Sequence, residues 1–281
     1  MTKKGLILEG GAMRGLFSAG AVDLMMINGI EFDGVIGVSA GAAFGCNVKS
    51  GQIGRSVRYN TQQSKNPAYS SFRSLLRTGD LYNAEYCYHT LPDSIDPFDK
   101  EAFDRSPVEF YVVCTDVDTG EPVYHRVDKA DYEGMEWIRA SASMPIVSRT
   151  VQLDGKGLLD GGVSDSIPLR YFESIGYDRN VVVLTRPLEY RKEPANPVLL
   201  KLMRKYPALA DAMARRHEVY NETLEYILEK EKNGDLFVIR PPEPLNVGKI
   251  EHSVARMQEA YQTGRKTMEA QLDALKAYLA E

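Results

Sequence analysis

The chain has 281 residues, 43% of them hydrophobic and 26% charged, with a formal net charge of −5. That length and apolar content supply a core for one large domain, or for a domain with an appendage, and the acidic balance argues against bulk nucleic-acid binding. No apolar run approaches the roughly 20 residues needed to cross a bilayer. The stretch behind Lys3 and Lys4 meets Glu9 and two glycines before it reaches the length of a signal sequence, so the chain reads as cytoplasmic. The three cysteines, Cys46, Cys87 and Cys114, have no metal-ligand spacing, and an odd count fits a reducing compartment. Neither a calcium-loop spacing nor His-Glu-x-x-His occurs, so no metal or other cofactor is expected.

Residues 4–8 form a short apolar run that stops at Glu9-Gly10-Gly11, which predicts a buried strand ending in a glycine loop. Residues 16–27 have helical apolar spacing, with Gly29 as the stop. A second strand follows at 33–38 and a second, small-residue-rich helix at 40–48, closed by Gly51. Such alternation implies a parallel sheet with helices packed on its faces, an α/β fold. The stretch 60–106 is rich in Ser, Asn, Asp, Pro and Tyr and reads as helices with long surface connections. Strands are expected at 110–115 and 122–127, and a helix ends at 137–142, before Met144-Pro145. Residues 151–153 and 157–159 flank Asp154-Gly155 and read as a hairpin, because Asp-Gly tolerates the positive φ of a tight turn. Residues 181–185 are the last apolar strand of this unit. Beyond Pro187 come a mostly helical stretch at 198–231, a short strand at 236–240, a proline-rich connector and a terminal helix at 250–279. The sheet-forming part is thus expected to end near residue 187, dividing the chain into 5–187 and a helical region at 188–281.

The strongest local signal is Gly37-Val38-Ser39-Ala40-Gly41, placed where a strand gives way to a helix. A nucleophilic serine needs such a turn, which pushes its oxygen out at the carboxyl end of the sheet while small neighbours keep the backbone clear. The helix that follows aims its amino terminus at developing negative charge. A second signal, Gly10-Gly11-Ala12-Met13-Arg14-Gly15, also joins a strand to a helix. Its backbone N–H groups can hold an oxyanion, each such donor being worth about 3–4 kcal/mol in a transition state, and Arg14 can add charge or fix the loop. A tight turn without ligand and a phosphate loop are the rivals. Ala12 stands where the dinucleotide fingerprint has its second glycine, and Leu16 and Phe17 follow Gly15 where a P-loop has Lys and Ser or Thr.

The third element is Asp160-Gly161-Gly162, directly after the hairpin strand. A serine nucleophile needs a base, ordinarily a histidine oriented by a carboxylate. None of the four histidines, His89, His125, His217 and His252, stands in a small-residue loop setting like that of Ser39. His217 and His252 lie in charged surroundings and read as solvated surface groups. Asp160 ends an apolar strand and has two glycines to open space beside it. By residue type alone it is equally an ordinary Asp-Gly turn, as Asp154-Gly155 is in the same segment.

Taken together and in this order, the three elements resemble the patatin-like phospholipases, a family of lipid acyl hydrolases. The likeness covers residues 5–185 and includes the small-residue stretch Ala140-Ser141-Ala142-Ser143-Met144-Pro145. It implies a three-layer α/β/α fold and a Ser–Asp dyad without histidine, working through an acyl-enzyme. Ser39 would be the nucleophile, within an elbow shaped by Gly37, Val38, Ala40 and Gly41. Asp160 would be the base, in a motif completed by Gly161 and Gly162. Gly10, Gly11, Ala12, Arg14 and Gly15 would form the oxyanion loop. The chain departs from the family's G-x-G-x-x-G at Ala12, whose methyl is a small obstacle to close approach. The common α/β-hydrolase fits less well, because it places several strands before its nucleophile. The C-terminal third resembles the extra helical region of a bacterial subgroup of the family, as an appendage to the sheet.

The resemblance implies a lipid or ester substrate, a phospholipid or related ester. The alternatives are a small-ester or thioester hydrolase on the same scaffold and a lipid-binding module without turnover; the presence of both Ser39 and Asp160 argues against the last. One further feature bears on membranes. Between residues 191 and 216, Arg191, Lys192, Lys201, Arg204, Lys205, Arg215 and Arg216 face only Glu193 and Asp211, interleaved with apolar residues such as Val198, Leu202 and Met213. Such pairing suits a peripheral contact with the inner membrane surface. It equally suits a helix packed on the core with its charges solvated, and Pro207 is expected to break the amphipathic face.

Overall fold

The computed structural model describes residues 2–280. The chain opens with β1 (Lys3–Leu8), α1 (Gly15–Ile27), β2 (Gly34–Val38) and α2 (Ala40–Ser50). It continues through α3 (Arg55–Gln63), α4 (Phe72–Thr78), a π-helical segment over Tyr86–Ile95 and α5 (Lys100–Arg105). Then come β3 (Glu109–Asp116), β4 (Pro122–Arg126), α6 (Tyr132–Ser141), β5 (Val151–Leu153), β6 (Lys156–Asp160), α7 (Leu169–Ser174) and β7 (Tyr177–Val183). The last third holds α8 (Pro197–Leu202), α9 (Pro207–Asn233), β8 (Leu236–Ile239) and α10 (Val254–Ala280).

The strands form one mixed sheet in the order β5-β6-β3-β2-β1-β7-β8, with β4 also paired to β3. The central pairs β3–β2, β2–β1, β1–β7 and β7–β8 are parallel, whereas β4 and β6 run antiparallel to β3. Alternate residues of each central strand enter opposite cores, as the two-residue period of a strand requires. Leu6, Leu8, Val35, Val112, Val181 and Val183 join one core with side chains of α1, α2, α6 and α10. Ile7, Ile36, Val38, Val113 and Val182 join the other with α7 and α9. The result is three layers, α/β/α.

Two features depart from the sequence expectation. The sheet continues past residue 187: β8 pairs in parallel with β7, Val181 lying opposite Phe237. Its four-residue apolar run announces a strand, but pairing is a long-range property that local pattern does not carry. Pro207 begins α9 rather than breaking a helix, because its fixed φ and missing N–H suit a first helical position. The terminal helix α10 lies against α1 so closely that a Cβ on Gly20 would stand 2.0 Å from the Tyr261 carbonyl oxygen, and one on Gly264 1.9 Å from that of Phe17. Reciprocal glycines thus let the two backbones touch, and α10 braces the helix that follows the glycine loop.

Candidate active site

Ser39 sits between β2 and α2 with φ 56° and ψ −120°, a strained conformation for a residue with a Cβ, costing about 1–3 kcal/mol. The surroundings hold it there. Its carbonyl oxygen accepts from Ala42 N and Ala43 N, each at 3.0 Å. Its N–H donates to Ser141 Oγ at 3.0 Å, and that hydroxyl in turn donates to the Val113 carbonyl at 2.6 Å. Ser141 therefore ties the turn to α6 and β3. Its place in the small-residue stretch 140–145 does not by itself reveal this bracing role.

Asp160 is the last residue of β6 and is buried. Ser39 Oγ donates to Asp160 Oδ2 at 2.6 Å, and Gly162 N donates to Oδ1 at 2.7 Å. The aspartate backbone is pinned on both sides: its N–H donates to the Ser143 carbonyl at 2.8 Å and its carbonyl accepts from Thr115 Oγ1 at 2.8 Å. Burial pushes the carboxyl above the usual aspartate range. The hydrogen bonds from Ser39 and Gly162 and the positive charges of Arg216 and Lys192 pull the other way. The histidines are engaged elsewhere. His89 Nε2 contacts Glu136 Oε1 at 2.9 Å, His125 stacks on Trp137, His217 Nδ1 meets the Ala214 carbonyl and His252 Nδ1 that of Ser64.

The glycine loop packs directly on this pair. A Cβ on Gly10 would come within 3.0 Å of the Val38 carbonyl oxygen and 3.1 Å of Ser39 Cβ, so glycine lets the loop lie this near without crowding. The N–H groups of Gly10 and Gly11 have no acceptor among the described residues, whereas the Arg14 N–H is used internally, donating to the Gly11 carbonyl at 3.1 Å. Glu9, buried and unforeseen, anchors the loop from behind. Its Oε2 accepts from Thr185 N and Oγ1 at 2.5 and 3.0 Å, and its Oε1 accepts from Tyr220 OH at 2.7 Å. The loop is thereby tied to the end of β7 and to α9.

Ala12 has φ 49°, the left-handed region, which gives a physical reason for a glycine at that position of the motif: a Cβ costs about 1–2 kcal/mol there. Ala12→Gly is therefore expected to hold or raise the urea midpoint, because relief of that strain offsets the roughly 0.5–1 kcal/mol of extra chain entropy glycine loses on folding. A drop equivalent to about 1 kcal/mol would show that Ala12 bears no such strain.

Two cavities meet at Ser39. The first is lined chiefly by apolar and aromatic side chains of α2, α3, the π-helical segment and α6, among them Phe44, Tyr59, Tyr88, Leu91, Met135 and Ile138. Its charged neighbours are engaged: Arg55 pairs with Asp96 at 3.3 Å and Arg139 with Glu136. The second is lined by Gly10, Gly11, Arg14, Asp160 and Gly162, and also by Lys192, Arg216 and Lys249 from the C-terminal third. Lys192 and Arg216 belong by sequence to the basic 191–216 stretch, but both are half-buried and line this cavity, while Lys201, Arg204, Lys205 and Arg215 are exposed.

Residues 6–173 match the family model described as patatin-like phospholipase, and residues 206–280 match one described as a domain of unknown function, DUF6363. The chain is 29% identical over 277 residues to the uncharacterized protein YjjU of Escherichia coli (strain K12), covering 92% of this chain and 74% of that one. It is 24% identical over 178 residues to the uncharacterized NTE family protein Rv1063c of Mycobacterium tuberculosis, covering 63% of this chain and 48% of that one. The chain thus spans about three quarters of the first relative and about half of the second. Among solved structures, VipD from Legionella pneumophila aligns with a TM-score of 0.48 at 12% identity, over 98% of this chain and 67% of that one. No helix among the described residues is long and apolar enough to cross a membrane. The family model spans more than half of the chain, and the protein belongs to the patatin-like phospholipase family.

Proposed function

We propose that this protein is a serine lipid acyl hydrolase that cleaves carboxylic esters of phospholipids or related lipids through Ser39 and Asp160. The observation that carries the reading is the 2.6 Å hydrogen bond from Ser39 Oγ to Asp160 Oδ2, formed at a strained strand–helix turn where an apolar cavity meets a polar one. Asp160 takes the Ser39 proton as Oγ attacks the ester carbonyl carbon. The carbonyl oxygen becomes an oxyanion, held by the free N–H groups of Gly10 and Gly11 with Ala12 and Gly15 shaping the loop and Arg14 adding charge. Collapse of the tetrahedral intermediate breaks the ester bond, and the departing alcohol takes the proton from Asp160. Water, deprotonated by Asp160, then attacks the acyl-enzyme carbonyl, and collapse of this second intermediate releases the fatty acid as Asp160 returns the proton to Ser39 Oγ. The aspartate must be ionised to begin this cycle, and its neighbouring cations favour that form.

The apolar and aromatic lining of the first cavity supports a hydrocarbon acyl group there rather than a polar one. The Ser39 hydroxyl, hydrogen-bonded to a buried carboxylate, argues against a binding module without turnover. The division near residue 187 belongs to this reading, with residues 5–187 performing the chemistry. Hydrolysis across phospholipids, neutral glycerides and short esters, run beside Ser39→Ala, tests it. Activity confined to short esters would favour the small-ester alternative, and turnover of none would sink the proposal.

Cytoplasmic placement with peripheral contact at the inner membrane surface is part of the same proposal. On α4, Phe72 and Leu76 are 77% and 86% exposed beside Arg73 and Arg77; on α8, Val198 and Leu202 are 63% and 64% exposed beside Lys201, Arg204 and Lys205. Leu202 and Lys205 share a groove with Ile146, in the segment that borders both cavities at Ser39. Reversing Lys201, Arg204 and Lys205 to Glu is expected to weaken co-sedimentation with anionic vesicles at low salt by at least about 100-fold, given roughly 1 kcal/mol per charge at the surface. Binding that ignores both salt and the reversal would return α8 to a purely structural part.

A further inference from the structure

The polar cavity that shares Ser39 with the apolar pocket collects more positive charge than the protein neutralises. Arg14, Lys192, Arg216 and Lys249 line it, and none of the four has a carboxylate within salt-bridge distance among the described residues. Arg14 Nε and Arg216 Nε are buried without any hydrogen-bond partner, and an unpaired buried donor is costly. Arg216 lies over the base motif: a Cβ on Gly162 would stand 3.2 Å from one of its terminal nitrogens. The carboxylates nearby have other partners. Glu9 is taken by Thr185 and Tyr220, and Asp160 by Ser39 and Gly162. The Lys192 ammonium rests 4.1 Å from the centre of the Tyr220 ring.

Resting on the hydrolase reading above, we propose that this cavity is a phosphate subsite for the leaving alcohol, so that the enzyme selects acyl esters whose alcohol carries an anionic phosphate over neutral or cation-headed ones. The acyl chain occupies the apolar side of Ser39, and the phosphate lies on Arg14, Lys192, Arg216 and Lys249. Guanidinium groups suit phosphate oxygens because they donate in a planar fork and stay charged. A choline or ethanolamine headgroup would bring a second cation into a pocket already rich in them. Three of the four cations come from beyond the segment that matches the patatin-like model, so the C-terminal third acts here as the reader of the headgroup. The state of Lys192 agrees: burial, with Arg216, Arg14 and Arg186 against the opposing pull of Glu9, holds its pKa down to about 7. A phosphate dianion beside it would restore the proton, so binding at neutral pH should take up protons from buffer.

Two measurements on the full chain test this. Inorganic phosphate titrated into Ser39→Ala reports the subsite without turnover. Binding is expected, weakened at least about tenfold by Arg216→Gln or Lys192→Met, the scale of losing one charge-assisted contact. Lys249→Gln, at an exposed position, should weaken it in the same direction should either buried variant fail to fold. Arg105→Gln, a surface residue paired with Glu101, should not. Separately, kcat/KM for a 1-acylglycerol 3-phosphate should exceed that for the matching 1-acylglycerol and phosphocholine ester, and the preference should fall about tenfold in the same variants. Inorganic phosphate should compete with the phosphate-bearing ester. No phosphate binding up to about 10 mM, a preference unchanged by the variants, or binding that does not compete would each overturn the proposal, the last by assigning the site to free phosphate. Hydrolysis of the neutral 1-acylglycerol by the unmodified protein judges the serine reading by itself, so either idea can fail while the other stands.

Discussion

Ser39→Ala is expected to lower kcat/KM on every acyl ester the protein cleaves by at least about 10⁴-fold while the protein stays folded. The proposed pathway runs through a covalent ester at Ser39 Oγ, which alanine cannot form. A serine-directed acylating or phosphonylating probe should label the wild-type chain at Ser39 and leave the variant unlabelled. The backbone adds a second, independent readout. With φ 56° and ψ −120°, the strain belongs to any residue bearing a Cβ, so Ala retains it and Gly does not. Ser39→Gly should therefore be the more stable of the two inactive variants by about 1 kcal/mol, measured by urea unfolding. Near-wild-type turnover by folded Ser39→Ala would remove the serine from the mechanism; equal stability of the Ala and Gly variants would show that the turn is unstrained.

Asp160→Asn is expected to cost at least about 10²–10⁴ in turnover, the contribution of a general base, and at the same time to raise the thermal midpoint at neutral pH. The two effects share a cause. Burial raises the Asp160 pKa in the fold above its value in the unfolded chain, so the folded state binds this proton more tightly. The resulting penalty is absent at pH below the unfolded-state value and fully present above the folded-state value. At pH 7 the native enzyme carries it, and the amide does not. Catalysis has the opposite dependence, since only the ionised carboxylate can accept the serine proton. kcat/KM should fall as pH drops through the folded-state pKa, with an acid limb above the ordinary aspartate value of about 3.9. A folded Asp160→Asn enzyme with full activity would exclude Asp160 as base. A lowered midpoint would show that the ionised carboxylate stabilises the fold through Ser39, Gly162, Arg216 and Lys192 by more than its burial costs.

Much of this molecule can be read along the chain because its parts are local. The strand–glycine–helix passages around Gly10–Gly15 and Gly37–Gly41, the Asp154-Gly155 hairpin and the apolar runs of β1, β2 and β3 each follow from residues within a few positions of one another. Strand β7 was expected at 181–185 but spans Tyr177–Val183, because Asp178, Arg179 and Asn180 interrupt the apolar pattern with side chains that the first half of the strand tolerates. Sequence order also sets the three motifs in the arrangement of the family. Those local patterns account for the alternating α/β class, the strand–helix turn that carries Ser39 and the helical character of the last third. That β8 closes the sheet, that Ser141 and Glu9 brace the loops from behind, and that half-buried Lys192 and Arg216 and exposed Lys249 line the cavity at Ser39 emerge only in the folded chain. Periodicity records whether a side chain is buried, but the partner that buries it, and the charge it faces there, lie far along the chain, from Val181 opposite Phe237 to Glu9 bonded to Tyr220.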